Sequence, residues 1–423
     1  MREKFERIWK VRDIRRSILF ILGMLLIFRI AAHIPVPGVD VQNLQRFLEG
    51  NQVLGLLNIF SGGTLENFSI VMLGVAPYIT ASIIFQLLQI VIPRFEEMAK
   101  EGESGQKRIQ MYARIAAVPL GFLQAFGLIQ LLRQSPLEIL PNLDSFGFIT
   151  IMLTVTAGSI FLMWIGELIT EKKMGNGISL LIFASIVAAL PGAIQTTLLN
   201  YTASDVYTYL LFALIVLITI VGVVVISEGQ RNIPVQYAKQ ALGSRRFSGA
   251  NSTLPLRINM AGVIPIIFAV SLVLFPPMIA QLFINHAGLV GSVAQKVIAL
   301  FQNQIFYAII YFVLVFGFTY FYTAVVFQPQ KIAENLQRQG GYIPGIRPGK
   351  ETEAYLGKIM SRLIFTGALF LGLIAILPLI LQGITGTQSL AVGGTSLLIV
   401  VSVAIETAKQ IDAQLTVHEY DRA

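Results

Sequence analysis

Long apolar segments alternate with polar gaps along almost the whole chain. A membrane-spanning helix needs roughly 20 apolar residues, because it must cross about 30 Å of hydrocarbon at about 1.5 Å per residue. The pattern predicts ten such spans, at 17–34, 75–92, 115–132, 149–169, 178–199, 206–226, 260–284, 305–327, 363–381 and 390–405. We therefore expect an all-α membrane protein with ten transmembrane helices.

A short linker near 200–206 separates the spans into two sets of five, within 1–200 and 201–423. Because five is odd, halves of similar fold would be inverted relative to each other, as in many transport proteins. The interface between such halves is where we expect a pathway. Two gaps, 227–259 and 328–362, are long and contain apolar residues such as Phe247 and Tyr342, so we interpret them as ordered docking surfaces.

The basic residues predict how the chain is oriented. Of the 31 Lys and Arg residues, 27 lie in the N-terminal stretch and in every second gap thereafter, including the end of the chain. Positive charge is retained on the cytoplasmic side when a multispan protein inserts. Both termini are therefore expected to be cytoplasmic, which agrees with an even number of spans.

Composition supports the same class. The chain is 55% hydrophobic and only 13% charged, with a mean hydropathy of +0.72, whereas a soluble domain has about 25% charged residues. Nucleic acid would be one explanation for the net charge of +8. Orientation in the membrane and attraction to anionic lipids are the simpler explanation. The absence of cysteine excludes disulfides and thiolate chemistry.

The segment 58–74 lies on the outer side and is too short and too rich in glycine to be a span. Ser61 or Thr64 is a possible N-cap for a short helix, with Glu66 in its first turn. Two interpretations stay open: a helix on the outer surface, or a re-entrant segment enclosed by protein or water.

Catalytic and metal-binding patterns are missing. Arg29, Glu167 and Glu406 lie near the ends of spans, where charged groups reach the interface, so no proton relay at the membrane centre is indicated. There is no metalloprotease, nucleophile-elbow or P-loop motif. We expect no enzymatic activity, no cofactor and no metal, and any driving force must come from a partner or a gradient.

Several loops and span ends carry specific motifs in order along the chain. They are IPVPG at 34–38, FSGG at 60–63, PYITASII at 77–84, KEGESG at 100–105, GNGIS at 175–179, GQR at 229–231, YAK at 237–239, NMAGVIP at 259–265, YIPGIRPG at 342–349 and GGTSLLIV at 393–400. With these motifs the chain resembles the SecY family of protein-conducting channels over nearly its whole length.

The resemblance implies two five-span halves around an hourglass pore. Its waist is a ring of aliphatic side chains, here called the ring residues: Val75, Ile79, Ile178, Ile182, Ile267 and Ile399. It also implies that 58–74 is a short plug helix, and the plug residues carried over are Phe60, Ser61, Gly62, Gly63, Thr64, Leu65, Phe68, Ile70 and Leu73. By spacing alone, an aliphatic i,i+4 pair is more often packed against lipid or a neighbouring helix.

A lateral gate for signal sequences is implied between spans two and three on one side and seven and eight on the other. The positions carried over, here called the gate residues, are Thr80, Gln124, Ser271 and Phe275. For the three polar members, ordinary hydrogen bonding between helices is the alternative.

Partners follow from the same resemblance: SecE and SecG as small subunits, the SecA motor, the ribosome, and the signal sequences of preproteins. Arg245, Arg246 and Arg347 are the expected docking cations, with orientation in the membrane as the alternative role of their charge. The competing function is a ten-span transporter of small solutes, against which no charged site at the membrane centre is evident.

Overall fold

The structure is a computed structural model, and it describes residues 8–49, 58, 61, 63–133, 135, 137, 139–140, 144–199, 206–237, 251–284, 288–385 and 393–420. Helices dominate it. In chain order they are α1 Arg12–Ala32, α2 Val41–Glu49, α3 Ala76–Val91, α4 Pro93–Lys100, α5 Glu103–Arg133, α6 Ser145–Glu171, α7 Gly177–Leu199, α8 Val206–Glu228, α9 Ile264–Phe283, α10 Leu289–Gln302, α11 Gln304–Val326, α12 Pro329–Arg338, α13 Lys350–Thr385 and α14 Gly393–Tyr420.

Each predicted span coincides with a helix, but fewer helices have the length and apolarity of a membrane span. Within the described ranges five helices pass, namely α5, α6, α9, α11 and α13, or six if α3 and α4 count as one bent span. Parts of α7 and α8 are apolar but shorter. The described helices therefore give five or six candidate spans, and the count of ten stays a prediction.

Local sequence explains several helix ends. Asp144 caps α6 by accepting a hydrogen bond from the Gly147 amide at 2.8 Å. The extended residue Ile92 precedes Pro93, and there the axis turns by 100° between α3 and α4. Since a residue before proline disfavours helical backbone, the predicted span ends where this turn begins.

The two long gaps, 227–259 and 328–362, contain short β-strands in their described parts. Strands β1 Gln230–Tyr237 and β2 Asn251–Arg257 form an antiparallel hairpin, and β3 Gly341–Tyr342 pairs with β1, giving the sheet order β2-β1-β3. Ile233, Val235 and Leu256 lie in a hydrophobic cluster shared with α12 and α13. The expected all-α membrane class is confirmed in that the chain is mostly helical, and the described parts of the two gaps add a small sheet to it.

The main core lies where helices of the two sequence halves meet. Helix α9 packs against α3 and α5, and α14 packs against α7 and α1. A second core joins α2, α5 and α6 around the 58–74 segment.

Candidate functional site

All six ring residues belong to the largest hydrophobic cluster of the described chain. Five are buried in it and the half-buried Ile178 packs against them. They come from the start of α3, from α7, from α9 and from α14, so side chains of both halves share one apolar interior.

A mainly apolar cavity of about 460 Å³ lies beside these side chains, and we call it the central cavity. Its lining includes four ring residues, all four gate residues and two residues of the 58–74 segment: Val75, Ile79, Ile182, Ile267, Thr80, Gln124, Ser271, Phe275, Ser61 and Leu73. Ile178 and Ile399 are not part of the lining. The structure thus brings three groups of predicted residues to one cavity.

The polar gate residues make two different kinds of hydrogen bond. Gln124 Nε2 of α5 donates to Thr80 Oγ1 of α3 at 3.3 Å, and both side chains are buried. Ser271 Oγ donates instead to the Ile267 carbonyl of its own helix at 3.0 Å. A bond between membrane helices contributes about 0.6 kcal/mol. The Gln124 contact therefore ties α3 to α5 on one side of the cavity and does not reach α9.

The contact between α5 and α9 depends on a small residue. A Cβ atom on Gly127 would lie 2.9 Å from Met278 Cγ, so a larger side chain would push the two helices apart. Beside Met278, α9 contains Pro276 and Pro277, neither of which has an amide hydrogen to donate to the preceding turn. The helix turn that faces α5 is thus held by fewer backbone hydrogen bonds than a regular turn.

The 58–74 segment is enclosed by protein. Leu65, Phe68 and Met72 are fully buried and pack in a cluster with residues of α2, α5 and α6. Of the two interpretations left open by the sequence, this burial favours a segment enclosed by protein over a helix on the outer surface.

The short helix expected in this segment falls partly on residues outside the described ranges, so it stays a prediction there. Asn58 and Ser61 have helical backbone, but 63–75 is a succession of turns and one bridge; Phe60 and Gly62 lie outside the described residues. The reason is backbone geometry: Gly63, Phe68 and Gly74 have φ of +77°, +44° and +58°, which no right-handed helix accommodates.

Hydrogen bonds hold the unusual conformation of Phe68. The Val36 amide donates to the Phe68 carbonyl at 2.9 Å, and the Ile70 amide donates to the Ile34 carbonyl at 3.0 Å. Positive φ at a bulky residue costs on the order of 1 to 3 kcal/mol and persists only where the surroundings enforce it. The IPVPG motif at 34–38 therefore fixes the segment through its backbone.

Glu66 does not act at a helix start. Its carboxylate accepts hydrogen bonds from Gln45 Nε2 of α2 and from Asn58 Nδ2, both at 3.2 Å. The Glu66 amide donates to Asn58 Oδ1 at 2.9 Å. The side chain links the beginning of the segment to α2.

Helix α6 forms a close seat for the end of the segment. Ser159 Oγ donates to the Gly74 carbonyl at 2.7 Å, and a Cβ atom on Gly158 would lie 2.0 Å from the Ile70 carbonyl oxygen. Sequence reasoning missed both residues, because Gly158 and Ser159 occur in an ordinary apolar span with no motif around them.

We expect Gly158→Ala to lower the stability of the protein by about 1 to 3 kcal/mol, the usual cost of overpacking. The added methyl group cannot fit against the Ile70 carbonyl, so the segment or α6 must move. Thermal unfolding in detergent is the measurement. Gly317→Ala on α11 is the control, because its Cβ would meet nothing within 4 Å and helical alanine is favourable. Equal unfolding temperatures for the two variants would contradict the close seat.

Of the three docking cations, only Arg347 lies within the described residues; Arg245 and Arg246 lie outside them. Arg347 is exposed in the turn before α13, where Gly345 and Gly349 have φ of +81° and +99°. Its carbonyl accepts a hydrogen bond from Thr352 Oγ1 at 2.9 Å, and the neighbouring Ile343 is buried in the cluster around the sheet. The backbone of the turn is thus braced while the guanidinium points to solvent.

Glu167, near the end of α6, forms an ion pair: its carboxylate pairs with Arg114 Nε of α5.

Among the described residues no group of three His, Asp or Glu side chains could hold a metal ion. The site therefore consists of an apolar waist, a cavity with a few hydrogen-bonding groups, and a packed segment beside it.

Known proteins are similar in sequence to this chain over almost its whole length. The SecY family model matches residues 69–408. The chain is 46% identical to the protein translocase subunit SecY of Halalkalibacterium halodurans, over 98% of this chain and 97% of that protein. It is 44% identical to the subunit of the same name from Mycobacterium tuberculosis, over 97% and 96% respectively.

Solved structures show the same fold at lower identity. A protein-conducting channel aligns with a TM-score of 0.62 and 17% identity, covering 93% of this chain and 90% of that one. Sec61 from a canine ribosome–channel complex aligns with a TM-score of 0.58 and 17% identity, with the same coverage. Both in sequence and in fold, the chain belongs to the SecY family.

Proposed function

We propose that this chain is the protein-conducting subunit of a Sec translocase, which passes unfolded preproteins across the bacterial cytoplasmic membrane and releases transmembrane segments sideways into lipid. The observation that carries the proposal is the central cavity, because ring residues, gate residues and the 58–74 segment all contribute to its lining. A translocated polypeptide has one route across the membrane and one route sideways into lipid. The pore waist, the side exit and the plug must therefore adjoin one another.

The aliphatic ring accounts for a barrier to ions. A narrow apolar constriction loses its water and offers an ion no replacement for its hydration shell. Isoleucine and valine side chains make no hydrogen bonds that would hold an extended peptide. The 58–74 segment, buried against α6 and α2, closes the resting channel as a plug.

The gate lies between the α3–α5 pair and α9. The Gln124–Thr80 bond keeps α3 and α5 together, so the separation takes place at the apolar contact of α5 with Met278. A signal helix entering there buries its apolar surface in lipid, while its hydrophilic flank stays near Ser271. The proline pair in α9 lowers the cost of bending that helix.

The chain crosses the membrane ten times in two inverted halves, 1–200 and 201–423, with both termini cytoplasmic. The distribution of Lys and Arg supports this orientation. Helices α1 and α14 are included although polar residues occupy part of each: α1 carries Arg15, Arg16 and Arg29, and α14 continues from an apolar half into a polar one.

Partners dock on the cytoplasmic side. The sheet and the Arg347 turn form a folded platform for the ribosome and for the SecA motor. The related Sec61 channel was solved in a complex with a ribosome. Arg245 and Arg246, which lie between β1 and β2 in the sequence, are proposed as further docking cations. SecE and SecG complete the assembly, and anionic lipids interact with the net charge of +8.

A cross-linking experiment tests the route. Ser271→Cys and Ile267→Cys line the central cavity, and Ile149→Cys on α6 is the control, because Ile149 is 55% exposed and is not part of that lining. A preprotein with one cysteine in its signal sequence is arrested during translocation and oxidised mildly. We expect disulfides at 271 and 267 and none at 149. Cross-links at none of them would favour a small-solute transporter, and cross-links at all three would place the route elsewhere.

A further inference from the structure

Helix α10 connects α9 to α11, and the proposed function gives it no role. Its 14 residues extend about 21 Å, which is less than the roughly 30 Å of a bilayer core. It is not a continuation of α11, because the extended residue Asn303 ends α10 and its side chain caps α11 by accepting from the Ile305 and Phe306 amides. A helix of this length between two membrane helices must lie at an angle to them or at their edge.

The residues of α10 divide into three faces. Gly291 and Ala294 are buried, and Ile298 and Phe301, which follow them at helical spacing, line the central cavity. A second face carries exposed Ser292, Gln295 and Lys296. The third face is apolar and exposed, with Leu289, Val293 and Leu300 at 85%, 57% and 49% exposure.

An amphipathic helix at the surface of a soluble protein has one buried apolar face and one polar face, and it lacks an additional exposed apolar face. Three adjacent large side chains left open to water would cost apolar burial without compensation. A helix at the boundary of protein, lipid and water has one face for each of them. The order around α10 fits that boundary, since the apolar exposed face separates the buried face from Lys296.

Exposed apolar side chains also recur on α11, the helix that follows α10 in the chain. Ile305, Ile309 and Val313 recur every four residues along α11 and are 72%, 59% and 58% exposed; α11 is among the helices long and apolar enough to span a bilayer. Lys296 is three residues from Val293 and four from Leu300, so its aliphatic stem follows the apolar stripe while the ammonium group reaches the polar headgroups.

We propose that α10 lies in the outer interface of the bilayer, with Leu289, Val293 and Leu300 in the acyl region of outer-leaflet phospholipid and its opposite face covering the outer end of the central cavity. The same helix thus contacts lipid on one side and supplies Ile298 and Phe301 to the cavity on the other. The inference rests on the membrane topology of the proposed function, and not on translocation itself.

Site-directed spin labelling tests it. The chain contains no cysteine, so Val293→Cys and Leu300→Cys can each carry one nitroxide for the lipid face and Gln295→Cys one for the water face. Ile309→Cys on α11 is the reference within the membrane, and Glu353→Cys on α13 is the reference in water. The protein is reconstituted into vesicles of phosphatidylcholine and phosphatidylglycerol, and the accessibility of each label to oxygen and to a water-soluble nickel chelate is measured.

We expect the labels at 293 and 300 to be relaxed mainly by oxygen, at a depth shallower than 309, and the label at 295 mainly by nickel. Nickel accessibility at 293 and 300 equal to that at 353 would overturn the proposal, because the face would then be in water. Protection from both reagents would also overturn it, because protein would then cover the face. A nickel-accessible label at 309 would instead refute the membrane topology, which separates the two failures.

Discussion

Replacing Ile79 and Ile182 together with glycine is expected to open an ion leak through the resting channel. Both side chains are buried, both line the central cavity, and they approach it from α3 and α7 respectively. Removing two branched side chains widens the apolar constriction, so water enters and the barrier to ions falls. Conductance in planar bilayers should rise from background to discrete channel openings without any motor or substrate.

The matched control is Ile90→Gly with Val187→Gly. It places the same change on the same two helices, at positions that are 61% and 38% exposed, so it carries the same backbone cost of about 1 kcal/mol per glycine. Because buried aliphatic truncation itself costs about 2 to 5 kcal/mol per site, a second pair, Ile79→Ala with Ile182→Ala, keeps more of the packing. We expect the order of leak Gly pair, Ala pair, control pair. An intact, folded Gly pair with background conductance would show that these residues do not form the waist.

The helices could be predicted well because their cause is local. Each apolar stretch recognised in the sequence lies in a helix, since a chain in lipid must satisfy its own backbone hydrogen bonds. The ends were predicted less well. Helix α13 runs over Lys350–Thr385, whereas hydropathy marks only 363–381, because the charged turns that extend the helix beyond the membrane do not differ from a polar loop in that measure.

The sheet and the 58–74 segment could not be predicted, because tertiary contacts determine them. Strand β3 is only two residues long, and its partner β1 lies about a hundred residues earlier in the chain. No local sequence pattern therefore predicts it. The turns of 58–74 depend on Phe68 being held at positive φ by the backbone of 34–36. No pattern within the segment itself specifies those contacts.

The site shows a similar division. The ring and gate residues followed from the family resemblance, and four of the six ring residues and all four gate residues line the central cavity. The contributions of Gly158, Met278 and Phe301 have no motif, because each depends on a neighbouring helix brought close by the fold. Sequence reasoning finds residues with a recognisable pattern, whereas a residue that matters by fitting a neighbour requires coordinates.

Arg347→Glu is expected to leave insertion unchanged and to weaken partner docking strongly. The turn is fixed by its backbone, through the Thr352 hydroxyl and two glycines at positive φ, so a new side chain should not unfold it. No carboxylate among the described residues forms an ion pair with the Arg347 guanidinium, which leaves it open to an acidic or phosphate group. Losing one partner of a desolvated charge pair costs about 2 to 5 kcal/mol, so we expect SecA or ribosome binding to fall by at least about 30-fold.

Two further variants are the controls. Lys331→Glu makes the same charge change on α12 of the same loop, and its channel should bind both partners nearly normally. Arg347→Lys should restore binding only in part, because an ammonium group lacks the planar fork. Thiol labelling of Glu353→Cys from the cytoplasmic side in each background verifies the orientation. Equal affinities for both partners in the Arg347→Glu and Lys331→Glu channels would reduce Arg347 to a charge that serves membrane orientation alone.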